Sequence, residues 1–379
     1  EPVAYAQVFE QAVRVSIILI GTIIVMTSLS QSVYAAGNMA MLGTVIGELA
    51  GVILLFVYMK KKRILFQGNI SIPKWPIIKE VTIFSITVSM SSLLLLAYQL
   101  VDSFTVFSML VDLGMPTLEA METKGIYDRG QPLVQLGIVI ASSFSLAIVP
   151  LVAHKSKKGT RDEVPYIQLT YRASLLFGLA ASLGLVLVMP YANTLLFKTD
   201  ALSPVLMLYV LQIIWLSIIL TFTSILQGYG KLKVPTYFLL GALTLKIAGN
   251  LLFIPLFGIL GVAVASNIGL CICALLLMYY LKKLKGIQLA TGNFYRKLFL
   301  ASMSMVVVVV LVAVLLNSVT DFSSVRMQAV VYSAVLILLG AFTFITVAAK
   351  LQILSVREWF IIPFGRKMAT YQLWLNKKK

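Results

Sequence analysis

The sequence predicts an all-α protein that crosses a membrane many times. Of its 379 residues, 60% are hydrophobic and only 12% are charged, which is too little polar surface to cover a soluble domain. The apolar residues fall into runs of about 20, the length at which a helix crosses a bilayer. Basic residues cluster between alternate runs, and this asymmetry predicts how the spans are oriented.

Ten apolar segments are long enough to be predicted as membrane spans. They lie at about 13–31, 38–59, 77–107, 131–152, 166–189, 203–227, 234–255, 258–281, 297–316 and 326–349. The third is too long for one straight crossing, so we expect it to bend or tilt, although no proline marks the place. The acidic segment 111–127 that follows is predicted to be a solvated extracytoplasmic loop, with a second interpretation as part of an outer gate.

The distribution of charge fixes the predicted topology. Lysines and arginines number 31 against 14 acidic residues, and most lie in the even-numbered connectors and in the tail after Lys350. The opposite side carries only Lys124, Arg129, Lys198 and Arg326. The even-numbered connectors and the C-terminus are therefore expected in the cytoplasm. A net charge of +17 distributed in this way favours anionic membrane lipids, not nucleic acid, as a partner.

The chain contains an internal repeat. Gly43 to Lys62 aligns with Ala265 to Leu284, and both copies keep a small residue at every fourth position. We interpret these small stripes as surfaces for close helix packing. Spans one and seven also begin alike and cross in the same direction, which is typical of parallel repeats. The repeat unit would be six spans, so four further spans are expected before residue 1.

These observations predict five segments along the chain. They are the last two helices of an N-lobe at 1–63, a cytoplasmic inter-lobe linker at 64–76, a six-helix C-lobe at 77–285, two additional transmembrane helices at 286–350, and a cytoplasmic interfacial tail at 351–379. The tail mixes aromatic and basic residues, a composition that suits the lipid headgroup region.

Three stretches resemble one family of bacterial transporters. They are KGIYDRGQPLVQLG at 124–137, YAAGNMAMLGTVIGELAG at 34–51, and LQGYGKLKVPTYFLLGALTLKIAGNLLFIPLFGILGVAVAS at 226–266. The sequence is similar to the lipid II and lipid-linked polysaccharide flippases of the MurJ and SpoVB/YtgP branch of the multidrug/oligosaccharidyl-lipid/polysaccharide exporter superfamily, and to its Gram-positive members above all. The resemblance implies a fold like that of multidrug-extrusion transporters, with two six-helix lobes and two further helices.

The resemblance also implies a function. The expected protein lies in the bacterial cytoplasmic membrane, moves lipid II or a related polyprenyl-pyrophosphate lipid by alternating access, and contributes to peptidoglycan synthesis, the cell wall and cell shape. Cell-wall synthesis proteins are expected partners. Coupling to the membrane potential or an ion gradient is expected, without a cofactor or catalytic residues.

Candidate substrate ligands follow from the chemistry of pyrophosphate. Arg129 matches the basic residue that the family keeps at the start of its eighth helix, and its planar fork donates two hydrogen bonds to an oxyanion. Lys246 and Arg14 are weaker candidates that would line the same cavity. Pro132 stands where other members carry a glutamate, and Asp128 is the candidate substitute. A competing hypothesis makes Asp128 a structural partner of Arg129.

Other polar residues inside the spans are candidates for ion binding or gating. A charge within a membrane requires a partner or a wet cavity, which singles out Glu48, Asp102 with its neighbour Gln99, and Arg172. For Arg172, which lies near the cytoplasmic start of the fifth span, snorkelling is the favoured interpretation.

Four further functions are less consistent with the sequence. A multidrug antiporter of the same superfamily would use the buried carboxylate of Glu48 or Asp102. A lipid-linked glycosyltransferase would need paired carboxylates or a metal at a membrane face, and a nucleotide-driven pump would need a phosphate-binding loop. A non-transporting scaffold would not need the polar residues within the spans. His154 is the only histidine, which argues against a multi-histidine metal site. Cys271 and Cys273 are predicted to be packing residues.

Overall fold

The computed structural model describes residues 2–27, 33–62, 75–139, 143, 163–231, 233–319, 325–362 and 365–377, and every regular element in these ranges is helical. The chain forms two compact units, Glu1–Ile78 and Lys79–Lys379. Among the described residues, eight helical segments are long and apolar enough to cross a membrane. The predicted class, an all-α protein with many membrane spans, is confirmed.

The first unit contains a helical hairpin of α1 (Pro2–Thr27) and α2 (Val33–Lys61). Its two helices approach closely because α2 presents glycines to α1. A Cβ atom at Gly47 would lie 2.8 Å from the Arg14 Cβ and 3.1 Å from the Glu10 carbonyl oxygen, and a Cβ atom at Gly43 would lie 2.9 Å from Ile18. The interpretation of this stripe as a packing surface is confirmed.

The predicted third span is interrupted, as its length suggested. It consists of α3 (Trp75–Ser92) and α4 (Leu94–Asp112), with Leu93 between them at φ −88° and ψ −1°. Backbone hydrogen bonds run from the Leu93 amide to the Ser89 oxygen and from the Ala97 amide to the Leu93 oxygen, each 2.8 Å long. The interruption is therefore local and leaves α4 well hydrogen-bonded.

The predicted loop at 111–127 is wrong, because most of it is the helix α5 (Thr117–Asp128). Good helix formers are concentrated in its first two turns, and Ala120 and Tyr127, seven residues apart on one face, are buried. Leu118 and Met121 remain exposed. Glu119 and Glu122, two of the acidic residues behind the loop prediction, lie on the exposed side of this helix, and Asp112 ends α4.

The predicted fourth span begins as α6, which is described over 130–139. A Cβ atom at Gly137 would lie 2.4 Å from Ile213, so this part of its small stripe is a contact surface. Ala141 and Ser145, which continue the stripe, lie outside the described residues. The same is true of His154 and of the basic connector at 155–161.

The remaining spans follow the predicted order. They are α7 (Val164–Phe197), α8 (Ser203–Val210) with α9 (Gln212–Gly228), α10 (Lys233–Phe257), α11 (Ile259–Lys285), α12 (Gly292–Val319) and α13 (Val325–Lys350). The helix α7 packs against α9 and α13, and α10 packs against α11 and α4. The tail adds two short helices, α14 (Val356–Ile361) and α15 (Gly365–Asn376).

The second copy of the repeat shows the same close hairpin as the first. A Cβ atom at Gly249 of α10 would lie 2.8 Å from the Ala265 Cβ of α11. One at Gly269, the residue that aligns with Gly47, would lie 3.2 Å from the Ala242 carbonyl oxygen. The aligned stripes therefore serve the same packing role in both hairpins.

Candidate functional site

The backbone on both sides of Arg129 is held firmly in place. Arg129 caps the C-terminal end of α5, and Tyr127 before it is buried with its ring edge-on to Tyr209, 4.8 Å between centroids. After it, a Cβ atom at Gly130 would lie 2.6 Å from the Tyr209 ring, so a larger residue would require that ring to move. Arg129 thus projects from a rigid junction between α5 and α6, which is the kind of support a binding residue needs.

The side chain of Arg129 is half-buried and has weak partners. Its guanidinium carbon lies 4.7 Å from the centre of the Phe197 ring. One nitrogen donates to the Asn193 side-chain oxygen over a long 3.5 Å. No carboxylate of the described residues forms a salt bridge with it. A guanidinium carries five N–H donors, so most of them remain free to bind an anion.

The partners of Arg129 lie at the end of α7, next to a strained turn. The Asn193 amide nitrogen donates to the Ala201 carbonyl oxygen at 2.9 Å and to the Ser203 hydroxyl at 3.1 Å. These bonds hold the connection to α8, in which Lys198 and Leu202 have positive φ angles of 62° and 55°. Such angles are uncommon for residues other than glycine. Asn193 therefore links the position of Arg129 to this turn.

Asp128 is not the partner of Arg129. Its carboxylate is exposed and accepts from Lys124 one helical turn earlier, at 2.5 Å. The hypothesis of an Asp128–Arg129 structural pair is therefore wrong, because the helical geometry of α5 directs Asp128 towards the residue four positions before it. Whether Asp128 also contacts the substrate stays a prediction.

Lys246 and Asp102 form an ion pair in the interior of the second unit. The Lys246 Nζ atom lies 2.7 Å from Asp102 Oδ1, and the side chains are 0% and 6% exposed. Lys246 also donates to the Ser266 hydroxyl at 2.6 Å and to the Val262 carbonyl oxygen at 3.1 Å. The three protons of the ammonium thus have three acceptors, and the expectation that a charge at this depth has a partner is confirmed.

Further polar side chains complete this network, and sequence reasoning did not identify two of them, Asn250 and Thr105. The Asn250 amide donates to Asp102 Oδ1 at 3.0 Å and to the Thr105 hydroxyl at 2.8 Å. The Tyr98 hydroxyl donates to the Ala242 carbonyl oxygen at 3.1 Å. The sequence signal for Asn250 was its position four residues after Lys246, on the same face of α10. Gln99, which was grouped with Asp102, is half-buried one turn before it.

The candidates of the first unit form their own network. Arg14 lies 2.7 Å from Glu10 and 3.5 Å from Glu48. The Glu48 side chain is 63% exposed within the described structure. Arg14 is therefore already paired with one carboxylate of its own helix and approached by another from α2.

Arg172 has a specific partner, so it is not a solvated snorkelling charge. Its guanidinium forms a salt bridge with Glu358 of α14 and also donates to the Gln168 carbonyl oxygen at 3.3 Å. Glu358 belongs to the capping box that begins α14 with Ser355. Arg172 thus joins the tail to α7. Its pairing with Glu358 could not be predicted, because the two residues lie far apart along the chain.

A second cluster that the sequence did not reveal joins the ends of three helices. Glu163, which precedes α7, accepts from Lys285 at 2.9 Å and from the Tyr229 hydroxyl at 3.2 Å. The Lys285 ammonium also lies 4.0 Å from the centre of the Tyr229 ring. Burial raises the pKa of Glu163, but the hydrogen bonds outweigh it and hold the pKa below its usual value. This cluster joins the start of α7 to the ends of α9 and α11.

Comparison with known proteins agrees with this architecture. The family model described as lipid II flippase MurJ matches residues 4–340. The uncharacterized membrane protein YabM of Bacillus subtilis (strain 168) is 30% identical over 375 residues, which cover 98% of this chain and 70% of YabM. The lipid II flippase MurJ of the same organism is 22% identical over 283 residues, 71% of this chain and 52% of MurJ.

A solved structure is also similar. The lipid II flippase MurJ in an inward closed conformation matches with a TM-score of 0.65 at 16% identity, over 90% of this chain and 66% of that chain. At that identity the match concerns the fold alone. The chain thus spans between about half and about 70% of the length of these relatives. On the strength of the family match across most of its length, the chain belongs to the MurJ lipid II flippase family.

Proposed function

We propose that this protein carries a polyprenyl-pyrophosphate-linked saccharide, in the first instance lipid II, from the inner to the outer leaflet by alternating access. The family consists of lipid transporters, not enzymes, and the relatives named for lipid II flipping support this substrate. The head of such a lipid carries a pyrophosphate. Cationic groups of the protein must balance its negative charge before it can move out of water.

One observation carries the assignment of the ligand. Arg129 is a half-buried arginine on a rigid helix junction, and no described carboxylate forms a salt bridge with it. Its planar fork suits two oxygens of a pyrophosphate at once. Arg14 and Lys246, the other predicted ligands, are less suited to this role, because Glu10 and Asp102 already pair with them. Asp128, exposed beside Arg129, remains a candidate for contact with the substrate.

A second substrate within the same class is supported by the pattern of similarity. The match to YabM covers more of this chain at higher identity than the match to the lipid II flippase. The alternative substrate is therefore another polyprenyl-linked polysaccharide precursor. A multidrug antiporter is less consistent with the structure, because Lys246 neutralises the buried Asp102 and such a site would use a free carboxylate.

The setting of this activity is part of the proposal. The protein would lie in the bacterial cytoplasmic membrane with its C-terminus in the cytoplasm, as the distribution of basic residues predicts. Transport would be coupled to the membrane potential or an ion gradient, with the exposed Glu48 as the first candidate to respond. Asp102 is the second candidate, and it would respond as part of its ion pair with Lys246. Its product would feed peptidoglycan synthesis and maintain cell shape, alongside cell-wall synthesis proteins.

A binding experiment separates the two substrates. The purified full-length protein is titrated with lipid II and with an undecaprenyl-linked teichoic acid or capsular precursor. We expect lipid II to bind at least about tenfold more tightly, a difference of about 1.4 kcal/mol. The reverse preference would replace lipid II with the other precursor. Equal affinity for a polyprenyl lipid without phosphate would contradict the whole proposal.

A further inference from the structure

The tail of the protein is folded, and one of its faces is fixed against the helical bundle. Trp359 of α14 is 3% exposed, and its indole nitrogen donates to the Gln372 side-chain oxygen of α15 at 2.7 Å. The two helices meet so closely that a Cβ atom at Gly365 would lie 1.8 Å from the Trp359 carbonyl oxygen. The pair therefore forms a compact helical hairpin.

This hairpin is attached to two membrane-spanning helices. Glu358 forms a salt bridge with Arg172 of α7, and the Trp359 ring lies edge-on to Phe177 with 6.4 Å between centroids. The Tyr371 hydroxyl lies 3.0 Å from the Thr346 hydroxyl of α13. These contacts fix the tail next to the end of the last span.

The rest of the hairpin surface combines apolar and basic side chains. Phe360, Leu373 and Trp374 are 59%, 54% and 58% exposed. The basic residues around them are also exposed: Arg357, Arg366, Lys367 and Lys377. The only acidic residue after Lys350 is Glu358, and Arg172 already neutralises it. The exposed surface of the tail therefore carries positive charge, and no acidic residue of the tail is left to balance it.

This combination matches one partner by charge and by position. Aromatic and aliphatic side chains mixed with lysine and arginine suit the boundary between acyl chains and headgroups. The hairpin begins six residues after α13 ends at Lys350, so it starts close to a bilayer boundary. We propose that the exposed face of α14 and α15 binds the anionic phospholipid headgroups of the leaflet in which α13 ends.

The test places a reporter on this face. A polarity-sensitive dye is attached to Leu373→Cys in the full-length protein without other cysteines. The protein is reconstituted in nanodiscs of phosphatidylcholine alone and of phosphatidylcholine with increasing phosphatidylglycerol. We expect the emission to shift to shorter wavelength as phosphatidylglycerol increases, because the headgroups draw the surface into the interface.

A charge variant and a matched control decide the interpretation. Neutralising Arg366, Lys367 and Lys377 with glutamine should raise the phosphatidylglycerol fraction needed for the shift by about tenfold or abolish the shift. Neutralising Lys231, Lys282 and Lys283 removes the same net charge elsewhere and should leave the shift unchanged. The proposal is overturned by no shift, by an equal shift without phosphatidylglycerol, or by equal losses in both variants.

Discussion

Lys246 and Arg129 are both basic residues of the second unit, both were predicted to bind the substrate, and their surroundings are opposite. Lys246 is fully buried, and its three protons go to Asp102, Ser266 and Val262. Arg129 is half-buried, rests on an aromatic ring and makes one long hydrogen bond to an amide. The charge of Lys246 is neutralised inside the protein, whereas the charge of Arg129 remains available to an anion.

The difference shows that a basic residue within a span is not by that fact a substrate ligand. A buried charge that has found its counter-ion contributes mainly to how the helices fit together, and removing one partner leaves the other uncompensated. A charged residue whose hydrogen-bond donors are mostly unused contributes little to the stability of the fold. The two residues should therefore respond differently to mutation, in stability for Lys246 and in binding for Arg129.

The largest expected effect on stability is at Lys246. Lys246→Met leaves the Asp102 carboxylate buried without its partner, which should lower the free energy of unfolding by about 3–5 kcal/mol. Asp102→Asn should lower the free energy of unfolding by a comparable amount, because it leaves the Lys246 ammonium buried without a counter-ion. The double variant removes both charges and should recover much of the loss. Thermal unfolding in detergent measures the stability of the two single variants and of the double variant. Single variants as stable as the wild type would contradict the structural role assigned to Lys246.

Phe197 provides a smaller test of the Arg129 site. Phe197→Leu keeps an apolar side chain but removes the ring on which the guanidinium rests, a contact of about 0.5–2 kcal/mol. We expect the affinity for a polyprenyl pyrophosphate to fall several-fold with little change in stability. The matched variant Phe197→Tyr keeps the ring and should bind as the wild type does. Equal losses in both variants would show that the ring contact does not orient Arg129.

The smallest expected effect is at Asp128. Asp128→Asn breaks an exposed pair with Lys124, which is worth about 0–1 kcal/mol, so stability should barely change.

The charge swap Asp128→Arg with Arg129→Asp should behave like Arg129→Ala in a transport assay, because the two residues are not partners. Recovery of transport by the swap would restore the pairing hypothesis that the structure contradicts.

The sequence predicted the spans because membrane crossing is a local property of length and hydropathy. It also predicted the packing role of Gly43 and Gly47, since small residues at every fourth position share one helix face. It predicted that Lys246 needed a partner. It could not identify Asp102 as that partner, because Asp102 lies more than a hundred positions earlier in the chain.

The errors and omissions have the same origin. The segment 111–127 was predicted as a loop from its acidic residues, although α5 buries Ala120 and Tyr127 against the bundle. The sequence favours a snorkelling charge at Arg172, because its partner Glu358 is remote in sequence. In each case tertiary contacts outweighed the local pattern. The assignment of Arg129 rested on resemblance, and the geometry adds a physical reason: no described carboxylate pairs with it.

One measurement tests the contrast between the two residues most directly. Undecaprenyl pyrophosphate binding is measured for the full-length wild type, Arg129→Ala, Arg129→Lys and the double variant Asp102→Asn with Lys246→Met. We predict at least about a tenfold loss of affinity for Arg129→Ala, corresponding to about 1.4 kcal/mol. Arg129→Lys should recover part of it because lysine lacks the fork, and the double variant should bind as the wild type does. Wild-type binding by Arg129→Ala, or a greater loss in the double variant, would contradict the account.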